Sequence, residues 1–312
     1  MRIFRDSLYL DDDARGAAVA IGNFDGVHLG HRAVIDAARD EAERLGAPLG
    51  VLTFEPHPRQ VFAPDAPPFR LMNAETRAHR LKKIGINYLY ELPFTRQLAS
   101  LTPEAFARDV LAGQLGLSHA VIGGDFRFGQ ARAGDAAMLA ELGERYGFTT
   151  STAPLLELGG LQVSSTAIRE ALTEGRPRDA AAMLGHWHRI DGEVIRGDQR
   201  GRDLGYPTAN LSIAGLHPPR FGVYAVRVSV LDGPHEGEYD GAASIGVRPT
   251  FGVNAPNCET YLLDFRGDLY AAHISVALVE YLRPELKFDG VEPLIAQMEK
   301  DVADARAILA NA

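Results

Sequence analysis

Between residues 17 and about 153, short apolar runs alternate with stretches of helical period, and from Ile190 onward only strand-like runs follow until one closing helix. This change of period constrains the fold more than any other feature. Alternating strand and helix build a parallel sheet with helices on its faces, whereas successive strands parted by turns build an antiparallel sheet that closes on itself. In the first part AAVAIG (17–22), PLGVLTF (48–54), INYLYEL (86–92) and SHAVIG (118–123) read as strands. HRAVIDAARDEAERLG (31–46), TPEAFARDVLAGQLG (102–116) and DAAMLAELGERYG (135–147) read as helices, the first closed by Gly46 and the second opened by Thr102 with Pro103 in its first turn. In the second part DGEVI, FGVYAVRVSVL (221–231), DGAASIGV (240–247), CETYLLDF (258–265) and HISVALVEYL (273–282) are strands separated by Gly, Pro and Asn clusters, and residues 291–309 form the last helix. After a helix near 165–174, TEGRPRDAAAMLG reads as a linker. The expected fold class is α/β followed by β: a parallel-sheet domain over residues 1–185 and a small antiparallel β-barrel with a terminal helix over 186–312.

Composition narrows the functional classes. The chain has 312 residues, 46% of them hydrophobic, enough for two cores. Its net charge of −9 is spread over both parts, 20 basic against 23 acidic residues up to 185 and 12 against 18 beyond, so there is no basic stripe and no nucleic-acid partner is expected. The lone cysteine, Cys258, excludes a disulfide framework and a cysteine-clustered zinc site and fits a reducing compartment. No apolar run nears the roughly 18 residues a span needs, and MRIFRDSLYLDDD has no signal-peptide core; the expectation is a cytoplasmic chain with no membrane partner and an open oligomeric state. Only four of the 32 basic residues are lysines, so phosphate recognition falls to arginine, histidine, backbone amides and a metal.

Two segments carry chemistry. GNFDGVHLGH runs from the first strand into the first helix; Gly22, Gly26 and Gly30 let backbone approach a ligand, and the helix start offers N–H groups to phosphate. His28 and His31 stand three apart there, as phosphate donors or simply as a capped turn. GRDLGYPTANL (201–211) is the second; with no GxxxxGK[ST] in the chain, a kinase here is not a P-loop enzyme. Gly201 and Gly205 allow close backbone approach, Pro207 fixes the turn, and Thr208 and Asn210 are uncharged oxygen ligands that suit Mg²⁺, although a polar loop entering a strand has the same residues.

Further segments extend the pattern. In GGDFRFGQARAGD (123–135), Asp125 and Arg127 could position a nucleotide and Phe126 and Phe128 could cover a flat ring, or could belong to the core. In VSSTAIRE (163–170), Ser164, Ser165 and Thr166 make a hydroxyl-rich helix start with Arg169 one turn in, a clamp for leaving phosphates or a plain N-cap. Together with TFEPHPR (53–59), these segments and Gly22 to His31 resemble the nucleotidyltransferase half of bacterial bifunctional riboflavin kinase/FAD synthetases. GRDLGYPTANL, GVYAV (222–226), GVRPTFG (246–252), ETYLLDF (259–265) and LRPELKFDG (282–290) resemble the riboflavin kinase half, so the resemblance spans about residues 15 to 310.

The resemblance implies a Rossmann-like FMN adenylyltransferase domain followed by a riboflavin kinase barrel. The chain is then expected to turn riboflavin and ATP into FMN, and FMN and ATP into FAD with release of pyrophosphate, with Mg²⁺ as cofactor. It implies binding roles for Gly22, Asn23, Phe24, Asp25 and Gly26, catalytic roles for His28, His31 and Arg169, and a general base at Glu259. Two positions depart from the family pattern: Ala271 stands where DLYG has glycine, and Glu55 where TFDPHP has aspartate. If that glycine is needed for a positive φ, Ala271 strains its turn by roughly 1 kcal/mol. A flavin sensor without transfer chemistry, and a nucleotidyltransferase acting on another small phosphate, are the competing readings. Retention of Thr208, Asn210 and Glu259 together argues against the first, and the barrel segments against the second.

Overall fold

Six short strands form the first sheet of the computed structural model, which describes residues 1–5, 10–197, 205–247 and 256–312. They are β1 (Arg2–Phe4), β2 (Ala18–Ile21), β3 (Leu49–Glu55), β4 (Tyr88–Pro93), β5 (His119–Gly123) and β6 (Thr149–Ala153), in the order β1-β4-β3-β2-β5-β6, every pairing parallel. β2 is buried along its whole length, which is why its sequence is a continuous apolar run rather than an alternation. Helix α1 (Leu29–Leu45) buries Val34, Ile35, Ala38 and Ala42, one stripe at helical spacing, and ends at Gly46 with φ 63°. The short α2 (Pro58–Phe62), then α3 (Ala74–Lys83), α4 (Arg96–Ala99), α5 (Pro103–Ala105) and α6 (Ala136–Tyr146) follow. Thr102 caps α5 through Ala105 N–H as its sequence predicts, but the chain then continues as a π-helical stretch over Phe106–Gln114.

The strand order fixes where a ligand can enter. From β2 the chain steps outward to β3 and β4, then returns to lay β5 on the other side of β2. The crevice beyond the carboxyl ends of β2 and β5 is therefore the topological switch point, the usual ligand site of such sheets. Gly22 to His31 leaves β2, and Gly123 to Asp135 leaves β5.

Cα proximity divides the described residues into Met1–Ala66 with Ala74–Ser164, and Pro67–Asn73 with Ser165–Ala312. The first unit ends with a hairpin of β7 (Glu157–Leu158) and β8 (Leu161–Gln162). The second opens with α7 (Ser165–Thr173) and α8 (Pro177–Leu184). The segment expected to be a linker is thus a helix: Pro177 sits in its first turn, Gly185 ends it at φ 73°, and Ala180, Met183 and Leu184 are buried. Pro67–Asn73 joins this unit through Arg169, whose Nε donates to the Phe69 carbonyl at 2.5 Å, and through His217 N–H, which donates to the Arg70 carbonyl at 2.8 Å.

The strands of the second unit are β9 (His188–Glu193), β10 (Thr208–Ser212), β11 (Gly222–Val230), β12 (Gly237–Val247), β13 (Pro256–Leu262) and β14 (His273–Arg283). They lie in the order β10-β13-β12-β11-β14-β9, all antiparallel. A bridge from Ile195 to Asn210, with Ile195 N–H on the Asn210 carbonyl at 2.9 Å, joins the two outer strands and closes the barrel. Leu211, Tyr224, Val226, Ile245, Cys258 and Ile274 are among its buried interior residues. Helix α9 (Val291–Leu309) lays Ala305 and Leu309 on Ala225, Ala242 and Val279. Arg283 fixes α9 by a forked contact to Asp301, at 2.8 and 2.6 Å.

Candidate active sites

The loop after β2 takes a tight, unusual path. Phe24 (φ 50°), Gly26 (φ 92°) and Val27 (φ 45°) all adopt the left-handed region, and for a β-branched residue such as Val27 this costs about 1–3 kcal/mol. Burial holds the loop there: Phe24, Asp25 and Val27 are almost wholly enclosed. Val27 N–H donates to the Phe24 carbonyl at 3.2 Å, and Thr53 Oγ1 donates to the Asn23 carbonyl at 3.1 Å. Gly22 lies against the Phe24 ring, where a Cβ would stand 3.3 Å from it.

His28 is the N-cap of α1, its Nδ1 accepting from His31 N–H at 3.2 Å. With that lone pair used, the neutral ring carries its proton on Nε2. The His31 ring stacks on it, centroids 3.5 Å apart and planes 17° from parallel. Burial, with the neighbouring His28 as a second cause, pushes the His31 pKa well below its usual value, so His31 is neutral at pH 7. His31 Nδ1 is buried and has no hydrogen-bond partner among the described residues. Gly30 leaves room for this stack: a Cβ would lie 3.1 Å from His28 Cε1 and 3.4 Å from the Val163 carbonyl. The strand end before Ser164 therefore lies beside the histidine loop within the first unit.

The residues after β5 divide between surface and core. Asp125 and Arg127 are exposed, and Arg127 pairs with Asp135 at 3.2 Å. Phe126 is half-buried, but Phe128 is only 6% exposed, stacked on Phe126 and packed against Phe106 and Gly134, so its ring faces the core rather than the crevice. Ser165 and Thr166 begin α7, with Thr166 exposed. Arg169, on the same helix, lies with its guanidinium over the Phe69 ring at 5.4 Å. These three residues belong to the second unit, whereas His28, His31, Asp125 and Ser164 belong to the first.

Sequence reasoning overlooked Phe62. It ends α2, is 64% exposed, and meets Phe94 edge-on at 5.7 Å; Phe94 in turn meets the partly buried Phe54 at 5.5 Å. A ladder of rings thus runs from the core to an exposed aromatic close to the carboxyl ends of β3 and β4. His57 caps α2 in a capping box with Gln60, which fixes the direction of this short helix.

In the barrel the candidate residues share one face of β10 and β13, opposite the face that packs in the core, and Asn210 on it is itself buried. Asn210 of β10 is directly opposite Glu259 of β13, and Thr208 is opposite Tyr261, while the alternate residues Ala209, Leu211, Cys258 and Thr260 are buried. Asn257, two residues before Glu259 and so on its face, donates from Nδ2 to Glu259 Oε1 at 3.2 Å and to Asn210 Oδ1 at 3.4 Å. Asn257 is 2% exposed, and its place was recoverable from the period-two spacing to Glu259. Gly197 approaches so closely that a Cβ would lie 2.6 Å from Asn210 Nδ2. Gly205 has φ 84°, Pro207 is exposed, and Gly201 lies outside the described residues. Ala271 stands at φ 62°, the conformation for which glycine suits that turn, with its N–H on the Val194 carbonyl at 3.1 Å.

Among the described residues no group of three or more His, Cys, Asp or Glu side chains could hold a metal, and no helix is long and apolar enough to cross a membrane. Thr208 Oγ1 and Asn210 Oδ1 are hard donors on one face, and that set fits Mg²⁺, which keeps waters and phosphate oxygens among its ligands.

A switch-point crevice with a stacked pair of imidazoles, on the same chain as a barrel with a Thr/Asn/Glu face, fits a two-module transferase of phosphorus-containing groups. Family models agree: that for FAD synthetase matches residues 10–167, and that for riboflavin kinase matches 184–309. Proteins described as bifunctional riboflavin kinase/FMN adenylyltransferase are 40% identical over 292 residues in Escherichia coli K12, spanning 93% of this chain and 92% of theirs. In Pseudomonas fluorescens such a protein is 40% identical over 311 residues, spanning 99% and 98%. A solved structure from Streptococcus pneumoniae, described as a macrolide-efflux protein, superposes with a TM-score of 0.85 at 29% identity, covering 98% of this chain and 99% of that one. The chain belongs to the bifunctional riboflavin kinase/FMN adenylyltransferase family.

Proposed function

We propose that the chain makes flavin cofactors in two ATP-dependent steps, the barrel converting riboflavin to FMN and the parallel-sheet domain converting FMN to FAD with release of pyrophosphate. We assign the second activity to residues 1–185 and the first to 186–312. The observation that carries the reading is the joint presence of the stacked His28–His31 pair at the switch point and the Asn210–Glu259 register pair in the barrel.

In the barrel, Glu259 takes the proton from the 5′-hydroxyl of riboflavin as that oxygen attacks the γ-phosphate of ATP. Asn257 orients the carboxylate by donating to Oε1. Thr208 and Asn210 would hold Mg²⁺, which when bound would neutralise charge on the phosphates. In the N-terminal domain, His28 and His31 donate to the α-phosphate as the FMN phosphate oxygen attacks it. The loop amides of Asn23 to Gly26 approach the nucleotide, Asp125 and Arg127 position it, and Ser164, Ser165, Thr166 and Arg169 receive the departing pyrophosphate. The exposed Phe62 ring covers the flat flavin. A cytoplasmic location, where ATP is supplied, accords with both steps.

The test is to incubate the purified protein with riboflavin, ATP and MgCl₂, with FMN as a parallel substrate, and to separate the flavins by chromatography. FMN followed by FAD is expected, with both lost on adding EDTA. No product from either substrate, in a folded protein that still binds flavin, would sink the enzyme reading and leave the sensor.

A further inference from the structure

A buried ion network lies close to the carboxyl ends of β3 and β4. Arg77 of α3 is wholly buried, and its Nη2 donates to Glu55 Oε2 and to Glu91 Oε1, each at 2.9 Å. Glu91, buried in β4, accepts a second cation from outside, Arg5 Nε at 2.6 Å. Two cations thus face two carboxylates. Arg77 Nε and Nη1 have no hydrogen-bond partner among the described residues.

This arrangement is a poor device for stability. A buried ion pair is often matched or bettered by well-packed apolar residues, and a guanidinium with unmatched donors is worse placed still. What it does secure is position. Glu55 is the last residue of β3, its side chain 33% exposed, and the chain after it turns directly into α2 and the Phe62 ring. The Glu55 carbonyl accepts from Phe94 N–H at 3.2 Å, so the same residue anchors the next ring of the aromatic ladder. The Arg77 guanidinium therefore grips the one residue from which both Phe62 and Phe94 are set.

We infer that Arg77 is a positioning residue for adenylyl transfer: by clamping Glu55 it holds the Glu55–Phe62 turn so that the flavin ring of FMN meets Phe62. The inference rests on the reading of the N-terminal domain as the FMN adenylylation site. Its expected effect falls on flavin rather than nucleotide, because the Arg77 contact leads through Glu55 to the turn before Phe62.

Glu55→Gln tests it with little risk to the fold, since the Arg77–Glu91 contact stays in place; Arg77→Lys, which keeps the charge but not the fork, is the second variant. The measurements are KM for FMN and for ATP in FAD formation, with riboflavin kinase activity of the same preparation as an internal control. Both variants should raise KM for FMN about tenfold, within the range that small misplacements produce, while KM for ATP and the kinase rate stay within about twofold. An unchanged KM for FMN beside a lowered melting temperature would make the network merely structural and overturn the inference, as would equal losses for FMN and ATP. Failure of the wild-type chain to adenylylate FMN would overturn the underlying reading as well, and shows itself before any variant is compared.

Discussion

The two sites achieve precision by opposite means. In the N-terminal unit the groups we propose to react ride on a loop bent into left-handed backbone at Phe24, Gly26 and Val27, where buried side chains enclose it. In the barrel the groups we propose to react sit on regular strand, and the pairing of β10 with β13 sets Asn210 opposite Glu259. A bent loop can bring backbone amides and two imidazoles onto one phosphate, which a strand cannot; a strand fixes a base against a metal ligand without strain. The cost of error also differs. A one-residue slip of β10 along β13, which β12 holds in place, would turn Asn210 to the other face and part it from Glu259, whereas the loop can lose its geometry one dihedral at a time.

The largest expected effect separates the two sites directly. Glu259→Gln should slow FMN formation by about 10²- to 10⁴-fold while FAD formation from added FMN is retained, measured as initial rates in one preparation. Equal loss of both activities would break the assignment of one base to one module. Next, His28→Asn can still accept from His31 N–H and so keep α1 capped, but it lacks the Nε2 donor. FAD formation should fall by about 10²- to 10³-fold with the kinase unaffected; a loss below about tenfold would reduce His28 to a cap.

Acid should then probe the barrel. Burial, with His186 and His217 adding to it, pushes His188 down to about 3, so the folded state keeps it neutral where the unfolded chain protonates it. The stability this group contributes is fully present above about pH 6.5 and is lost as pH falls from there toward 3, at up to about 1.4 kcal/mol per pH unit. Melting temperatures at pH 7 and pH 5 should therefore converge in His188→Leu; an unchanged pH slope would remove His188 as the cause. The smallest effect is Ala271→Gly. Release of a positive φ, less the added freedom of glycine in the unfolded chain, should stabilise the barrel by about 0.5–1 kcal/mol, read from denaturant unfolding. A destabilised variant would show that the Ala271 methyl contributes more than its backbone costs.

Most elements were legible because burial imprints period. β2 is buried on both faces and so reads as AVAI without alternation, and the stripe of α1 reads at helical spacing. Two of the strands that escaped had little burial to report. β6 is TTSTA at the sheet edge, mostly exposed, and β1 has three residues. α8 was hidden because proline and glycine were taken as linker punctuation, although Pro177 and Gly185 are the ordinary ends of a helix. Within the sites, spacing exposed the local residues His28, His31, Thr208 and Asn210, while partners brought in by folding stayed hidden. Arg77 meets Glu55 across 22 positions, and the core place of Phe128 depends on Phe106 and Gly134.

The short segment Pro67–Asn73 is strung between residues of the first unit yet takes its backbone partners from Arg169 and His217. A cut between Ser164 and Ser165 would therefore part this segment from its partners. A piece ending at Ser164 would carry the Phe69 and Arg70 carbonyls without their donors, and a piece beginning at Ser165 would lack the strip that those donors hold. A cut placed after Gly185 instead would keep the Phe69 carbonyl with its donor and, of the two, part only the His217 contact.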